Sequence, residues 1–237
     1  MVSTPLIKLE GVEVRRRGKA ILGPINLDLE ESGFTIVLGP NGAGKTTFLK
    51  ALHGIERLSK GDVTWAIGDS DLRAQQAYVF QNPTMLRRSV RANLAYPLKL
   101  LRVKKSEITR RVAHWAKRSG MENLLDSPAT RLSGGERQKL ALARALIRDP
   151  KVLFLDEPCA SLDGKSTREI EALLLETHQS GTRIIMTTHN LGQAKRLATD
   201  VVFLLNGQLH EQSPAGPFFA APDQPEAQSF LKGDIVE

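Results

Sequence analysis

Gly39-Pro40-Asn41-Gly42-Ala43-Gly44-Lys45-Thr46 fits the pattern G-x-x-x-x-G-K-[ST]. Glycines so spaced let backbone N–H groups close around phosphate oxygens, and the positive end of a following helix adds to that field. Lys45 would reach the β- and γ-phosphates of a nucleoside triphosphate. The Thr46 hydroxyl, beside Thr47, would ligate Mg²⁺, a cation that needs few protein oxygens. Further along, Val152-Leu153-Phe154-Leu155 runs into Asp156-Glu157. Asp156 is expected to hold Mg²⁺ through water, and Glu157 to act as general base toward the water attacking the γ-phosphate. A second anion-binding loop, Leu132-Ser133-Gly134-Gly135-Glu136, opens a helix, so that Ser133, Gly134 and Gly135 offer free N–H groups and a hydroxyl.

These residues need elements to position them. Alternating apolar side chains over residues 6–14 and 25–29 predict half-buried strands of an antiparallel layer. Residues 34–38 predict a buried strand that feeds the glycine loop, and the spacing of Phe48, Leu49 and Leu52 predicts the helix after it. Helices are expected at 89–101, at 106–118 with Ser106 as N-cap, at 135–147, at 166–179 and from Asn190. Buried strands are expected at 152–155 and 182–187, and a hairpin is expected where Asn206-Gly207 separates 201–205 from 208–212. The alternation calls for a mostly parallel α/β sheet. About 25 residues follow the hairpin, too few for an independent fold.

The chain has 237 residues, 41% hydrophobic and 25% charged, which suits one globular α/β unit over 1–237 and argues against disorder, collagen or a coiled coil. Its one cysteine, Cys159, cannot form an internal disulfide, so a reducing compartment is expected. No apolar run is long enough to span a membrane, and no signal-peptide core is evident at the N-terminus. The formal charge of +7 is uneven: residues 85–118 hold eleven basic side chains against Glu107 alone. Such a segment reads either as two solvated helices or as a surface for anionic lipid headgroups or an acidic partner. Nucleic acid is not expected, because the segment's aromatics are only Tyr96 and Trp115.

The Leu132–Glu136 loop placed before the Asp156-Glu157 strand resembles the signature of the ABC ATPase family, and the resemblance spans nearly the whole chain. It implies a P-loop NTPase core with an N-terminal antiparallel β layer and a helical subdomain inserted at about 84–147. It implies ATP and Mg²⁺ as cofactors, and a head-to-tail dimer in which one copy's Gly39–Thr47 loop and the other's Ser133, Gly134 and Gly135 enclose the same ATP. Gln81, in Phe80-Gln81-Asn82-Pro83, matches the glutamine that senses Mg²⁺ and the attacking water. His189 matches the histidine that bonds the γ-phosphate, and Asp163, in Ala160-Ser161-Leu162-Asp163, matches the loop facing the opposite subunit. The family stacks adenine on an aromatic where this chain has Arg16, a departure that a guanidinium plane can serve. Cys159, after Glu157-Pro158, is expected either as a small filler or as a thiol whose modification hinders dimer closure.

A lone ATPase unit resembles the separate subunit of a membrane importer more than an exporter or lipoprotein-release ATPase, or a soluble relative acting on DNA or ribosomes. The resemblance then implies an integral membrane permease as partner, through it an extracytoplasmic substrate-binding protein, and residence on the cytoplasmic face of the inner membrane. Residues 77–98 look most like the ATPases of oxyanion importers, tungstate uptake systems in particular. Met85, Leu86 and Val90 are expected to dock the permease helix, and Arg87, Arg88 and Arg91 to hold the subunit at the membrane.

Overall fold

The architecture follows from strands that bury both faces. In the computed structural model, which describes residues 4–67, 69–234 and 236, β3 (Phe34–Leu38), β6 (Val152–Asp156) and β7 (Arg183–Thr187) are buried at every position. They lie in a six-stranded sheet with β5 (Gln76–Val79), β8 (Asp200–Leu205) and β9 (Gln208–Pro214), in the order β5-β6-β7-β3-β8-β9. All neighbours are parallel except β8 and β9. Successive side chains serve opposite cores: Leu153 and Leu155 pack on one side, Val152 and Phe154 on the other.

One face is covered by β1 (Ile7–Arg16), β2 (Lys19–Leu29) and β4 (Lys60–Trp65), an antiparallel sheet ordered β2-β1-β4. Helix α1 (Lys45–His53) lies in this layer and contributes Phe48, Leu49 and Leu52 to its core. After α2 (Asp69–Gln75) and β5 come α3 (Val90–Leu100), α4 (Lys105–Arg118) and α5 (Gly134–Leu146); with α6 (Gly164–Gln179) and α7 (Leu191–Leu197) they build the core on the opposite face. The chain then continues through β8 and β9 into α8 (Ala215–Ala220) and α9 (Pro225–Lys232).

The predicted hairpin is present, with Asn206 and Gly207 both at positive φ, as a two-residue primed turn requires. Its tip is tied to the glycine loop and to β2: Gly207 N donates to Ala43 O at 3.2 Å, and Gly23 N donates to Gly207 O at 2.7 Å. A Cβ on Gly207 would lie 2.6 Å from Ile21 O, so the close approach needs a glycine.

Two expectations about these elements need correction. Helix α4 starts one residue before Ser106, and its N-cap is Lys104, with no side-chain cap. Ser106 therefore sits in the first turn, where Glu107 instead complements the helix dipole. Val90 is fully buried in the core as the first residue of α3, and so is not available for docking. The tail, in keeping with its being too short to fold alone, packs α8 and α9 onto the main core through Phe218 and Ala227.

Candidate active site

The glycine loop passes from β3 to α1 and is shaped by what it leaves out. Gly39 has φ +146°, and a Cβ there would lie 2.1 Å from Leu204 O on the neighbouring strand. Gly44 caps α1 in the left-handed region without a side-chain cap, leaving the first-turn N–H groups to an anion. The Lys45 Nζ, largely buried, donates to the carbonyls of Gly39 at 2.8 Å and Pro40 at 3.0 Å, which holds the ammonium across the loop. Burial pushes its pKa down, and the Glu157 and Asp156 carboxylates oppose that shift.

At the end of β6, Asp156 is 4% exposed and held on both oxygens. Its Oδ1 accepts from Thr46 Oγ1 at 3.0 Å and from Thr187 Oγ1 at 2.8 Å; its Oδ2 accepts from the Tyr78 hydroxyl at 3.4 Å. Burial, then the Asp156 charge, pushes the Tyr78 phenol well above its ordinary pKa, so it remains a donor. Thr46 and Asp156 thus pair a hydroxyl with a carboxylate, an all-oxygen donor set that suits Mg²⁺. Among the described residues no cluster of three His, Cys, Asp or Glu has metal-binding geometry. Mg²⁺ needs none when phosphate and water complete its shell.

Glu157 is set apart from Asp156 by its backbone. It has φ +45°, uncommon for a non-glycine residue, and its N–H donates to Thr187 Oγ1 at 2.9 Å. The side chain meets two of the residues expected around it: Glu157 Oε2 lies 3.1 Å from His189 Nδ1 and accepts from Gln81 Nε2 at 3.4 Å. The strand ends of β5, β6 and β7 therefore bring Gln81, Asp156, Glu157 and His189 to one edge of the sheet, next to Lys45 and Thr46.

Ser133, Gly134 and Gly135 have different neighbours. Ser133 is the N-cap of α5 in a capping box: its Oγ accepts from Glu136 N at 3.3 Å, and Glu136 Oε2 accepts from Ser133 N at 2.8 Å. A Cβ on Gly135 would lie 2.5 Å from Ser166 Oγ, so this loop leans on the start of α6 and not on the glycine loop. Asp163, expected to face a partner, has its carboxylate engaged as the N-cap of α6, accepting from Ser166 N at 2.8 Å. Arg16, at the β1–β2 turn, pairs with Glu56 and keeps 54% of its side chain exposed. Cys159 packs against the main core, and burial pushes its thiol up to about 11, as a filler residue and not a reactive thiolate.

Sequence reasoning gave Thr187 and Tyr78 no role, although both touch Asp156. No short spacing could reveal them, because they arrive from neighbouring strands. Glu136 was findable, since Ser133 and Glu136 form S-x-x-E before an apolar run.

A separate groove of about 960 Å³ lies between β5 and the helices α3 and α5. The large apolar side chains that the described surface leaves exposed, Ile55, Phe80, Tyr96, Leu100 and Leu101, all line it, as does the expected docking residue Leu86. Met85 is half-buried against the main core instead.

Comparison with known proteins finds relatives over most of the chain. A family model described as ABC transporter matches residues 22–160. The tungstate uptake system ATP-binding protein TupC of Peptoclostridium acidaminophilum is 41% identical over 196 residues, covering 82% of this chain and 92% of its own. The methionine import ATP-binding protein MetN of Sodalis glossinidius is 35% identical over 225 residues, covering 90% of this chain and 66% of the longer MetN. Among solved structures, cbiO1 of Clostridium perfringens, part of the ABC transporter complex cbiONQ, has a TM-score of 0.83 at 29% identity, covering 97% of this chain and 96% of that one.

Proposed function

The chain belongs to the ABC transporter family and is an ABC-type ATPase, and from that premise we propose that it powers a membrane importer as a subunit separate from its permease. The observation that carries the reading is the joint engagement of Glu157 by His189 and Gln81 beside the Asp156–Thr46 pair. This is an arrangement for hydrolysis as well as for binding. The phosphate-loop N–H groups and Lys45 take the β- and γ-phosphates of ATP, the lysine exchanging loop carbonyls for phosphate oxygens. Thr46 and Asp156 would hold Mg²⁺, which when bound supplies positive charge to those oxygens. Glu157 Oε2 orients a water against the γ-phosphorus and accepts its proton as the new P–O bond forms and the bond to the ADP oxygen breaks. His189 and Gln81 fix the carboxylate while this happens.

A second copy completes the site. Ser133, Gly134 and Gly135 sit on a helix N-terminus away from their own glycine loop, so they meet the ATP held by a partner copy in head-to-tail packing. Arg16 covers the base once it leaves Glu56. The exposed apolar groove receives a cytoplasmic helix of the permease, and ATP-driven closure of the pair pulls two such helices together. No helix among the described residues is long and apolar enough to cross a membrane, which suits a subunit bound peripherally to its permease on the cytoplasmic face.

The substrate reading is tungstate or a related oxyanion, delivered to the permease by an extracytoplasmic binding protein. It rests on the likeness to the tungstate uptake ATPase, which exceeds that to the methionine import ATPase. The test is to purify the tagged chain from detergent-solubilised membranes without nucleotide and to identify what accompanies it. A multi-span permease is expected. Recovery only from the soluble fraction, with nucleic acid or ribosomal proteins attached, would overturn the importer reading.

A further inference from the structure

We propose that Tyr78 is a positioning residue that joins the docking groove to the nucleotide site, so that what presses on the groove wall is felt at Asp156. The groove half of this inference rests on the importer reading above. The ring and the hydroxyl of Tyr78 lie in different places. Its side chain lines the groove, and its hydroxyl donates to Asp156 Oδ2 at 3.4 Å. The other carboxylate oxygen, Oδ1, is already taken by Thr46 and Thr187. The phenol is therefore a side-chain contact by which the orientation of Asp156 depends on the groove wall.

The ring is not free to move alone. Its centroid lies 4.6 Å from that of Phe80, which is 44% exposed in the groove, and 5.5 Å from that of His53, edge to face. A helix seated in the groove covers Phe80, and a displaced Phe80 ring displaces its neighbour because packed aromatic contacts leave little slack. Phe80 also immediately precedes Gln81, whose amide reaches Glu157. One segment of chain thus faces the permease and touches both carboxylates. Asp156 feels the groove through the Tyr78 hydroxyl, and Glu157 feels it through Gln81.

Tyr78→Phe keeps the ring and its packing and removes only the hydroxyl, so it separates the link from the wall. The first readout is ATP affinity of the isolated chain by calorimetry, with and without Mg²⁺. The Mg²⁺-dependent gain should fall on the order of tenfold, as for a lost outer-shell partner of a metal ligand, while Mg²⁺-free affinity and thermal midpoint stay at wild-type values. The second readout is ATPase activity of the permease complex. The variant should co-purify with permease as wild type does, yet its rate should respond less to the permease. A variant with an undiminished Mg²⁺ gain overturns the proposal, even if its thermal midpoint drops. If wild type itself brings down no permease, the importer reading fails, and the calorimetric result alone decides whether Tyr78 positions Asp156.

Discussion

Glu157 carries a backbone conformation that costs on the order of 1 kcal/mol for a non-glycine residue. It is kept there by Thr187, whose hydroxyl and carbonyl both accept from the Glu157 N–H. The departure from extended backbone gives adjacent carboxylates different partners: Asp156 meets Thr46, Thr187 and Tyr78, and Glu157 meets His189 and Gln81. Gly39 is the complementary case, a residue defined by the atom it lacks. Gly39→Ala forces a Cβ against Leu204 O and should cost about 2 kcal/mol or more, with ATP binding lost before the fold is. Urea unfolding and nucleotide titration of that variant check both parts; wild-type affinity would show that the loop can shift away from β8. The residues that meet at this scale were legible where chemistry fixes spacing, as from Gly39 to Thr46 and at Asp156-Glu157. Thr187 and Tyr78 were not legible, because their part is set by the order β5-β6-β7, which the sequence does not state locally.

At the scale of elements, long buried runs were readable and short or half-exposed ones were not. The strands β3, β6 and β7 announce themselves as apolar runs, and the Asn206-Gly207 turn fixes the hairpin. Strand β4, whose burial alternates only between exposed and partial, carries little hydrophobic signal. Helix α1 also carries a titration device. His53, near its end, packs edge-on against Tyr78 and Phe154, and its Nδ1 is buried without a hydrogen-bond partner. Burial, then the Arg148 charge, pushes its pKa down to about 4, from an ordinary value near 6.5. The folded chain refuses a proton that the unfolded chain accepts, so the stabilisation is complete above about pH 6.5 and is lost as pH falls toward 4. The loss amounts to roughly 3 kcal/mol at most. Denaturant unfolding between pH 7 and 4 should show this slope in wild type and a flatter one in His53→Phe. Parallel curves for the two proteins would remove His53 as the cause.

For the whole molecule, charge and apolar exposure gather on the helical side. Several of the cations in 85–118 are already paired: Arg91 with Asp126, Arg110 and Arg111 with Glu107, Arg111 also with Asp149, and Arg118 with Glu176. Arg87, Arg88 and Arg91 are all exposed, but the Arg91 charge is already paired with Asp126, which leaves Arg87 and Arg88 as the better candidates for holding the subunit at a membrane. Reversing those two to glutamate should release the chain from membranes at moderate salt without changing nucleotide affinity. Membrane sedimentation at wild-type level would assign them to plain solvation instead. The two-sheet architecture was legible as a class, because alternation in the N-terminal strands and unbroken apolar runs later demand different sheets. The groove was legible only at Leu86, since the rest of its wall is assembled from residues far apart in the chain. The central claim is that this chain hydrolyses ATP at a site completed by a second copy, with Glu157 as the base. The direct measurement is ATP turnover and sedimentation of Glu157→Gln beside wild type, in Mg²⁺ and ATP. Turnover should fall on the order of a hundredfold or more, ATP affinity should be kept, and the variant should sediment as an ATP-bound dimer that ADP does not support. Turnover at the wild-type rate, or ATP binding by a chain that stays monomeric, would contradict it.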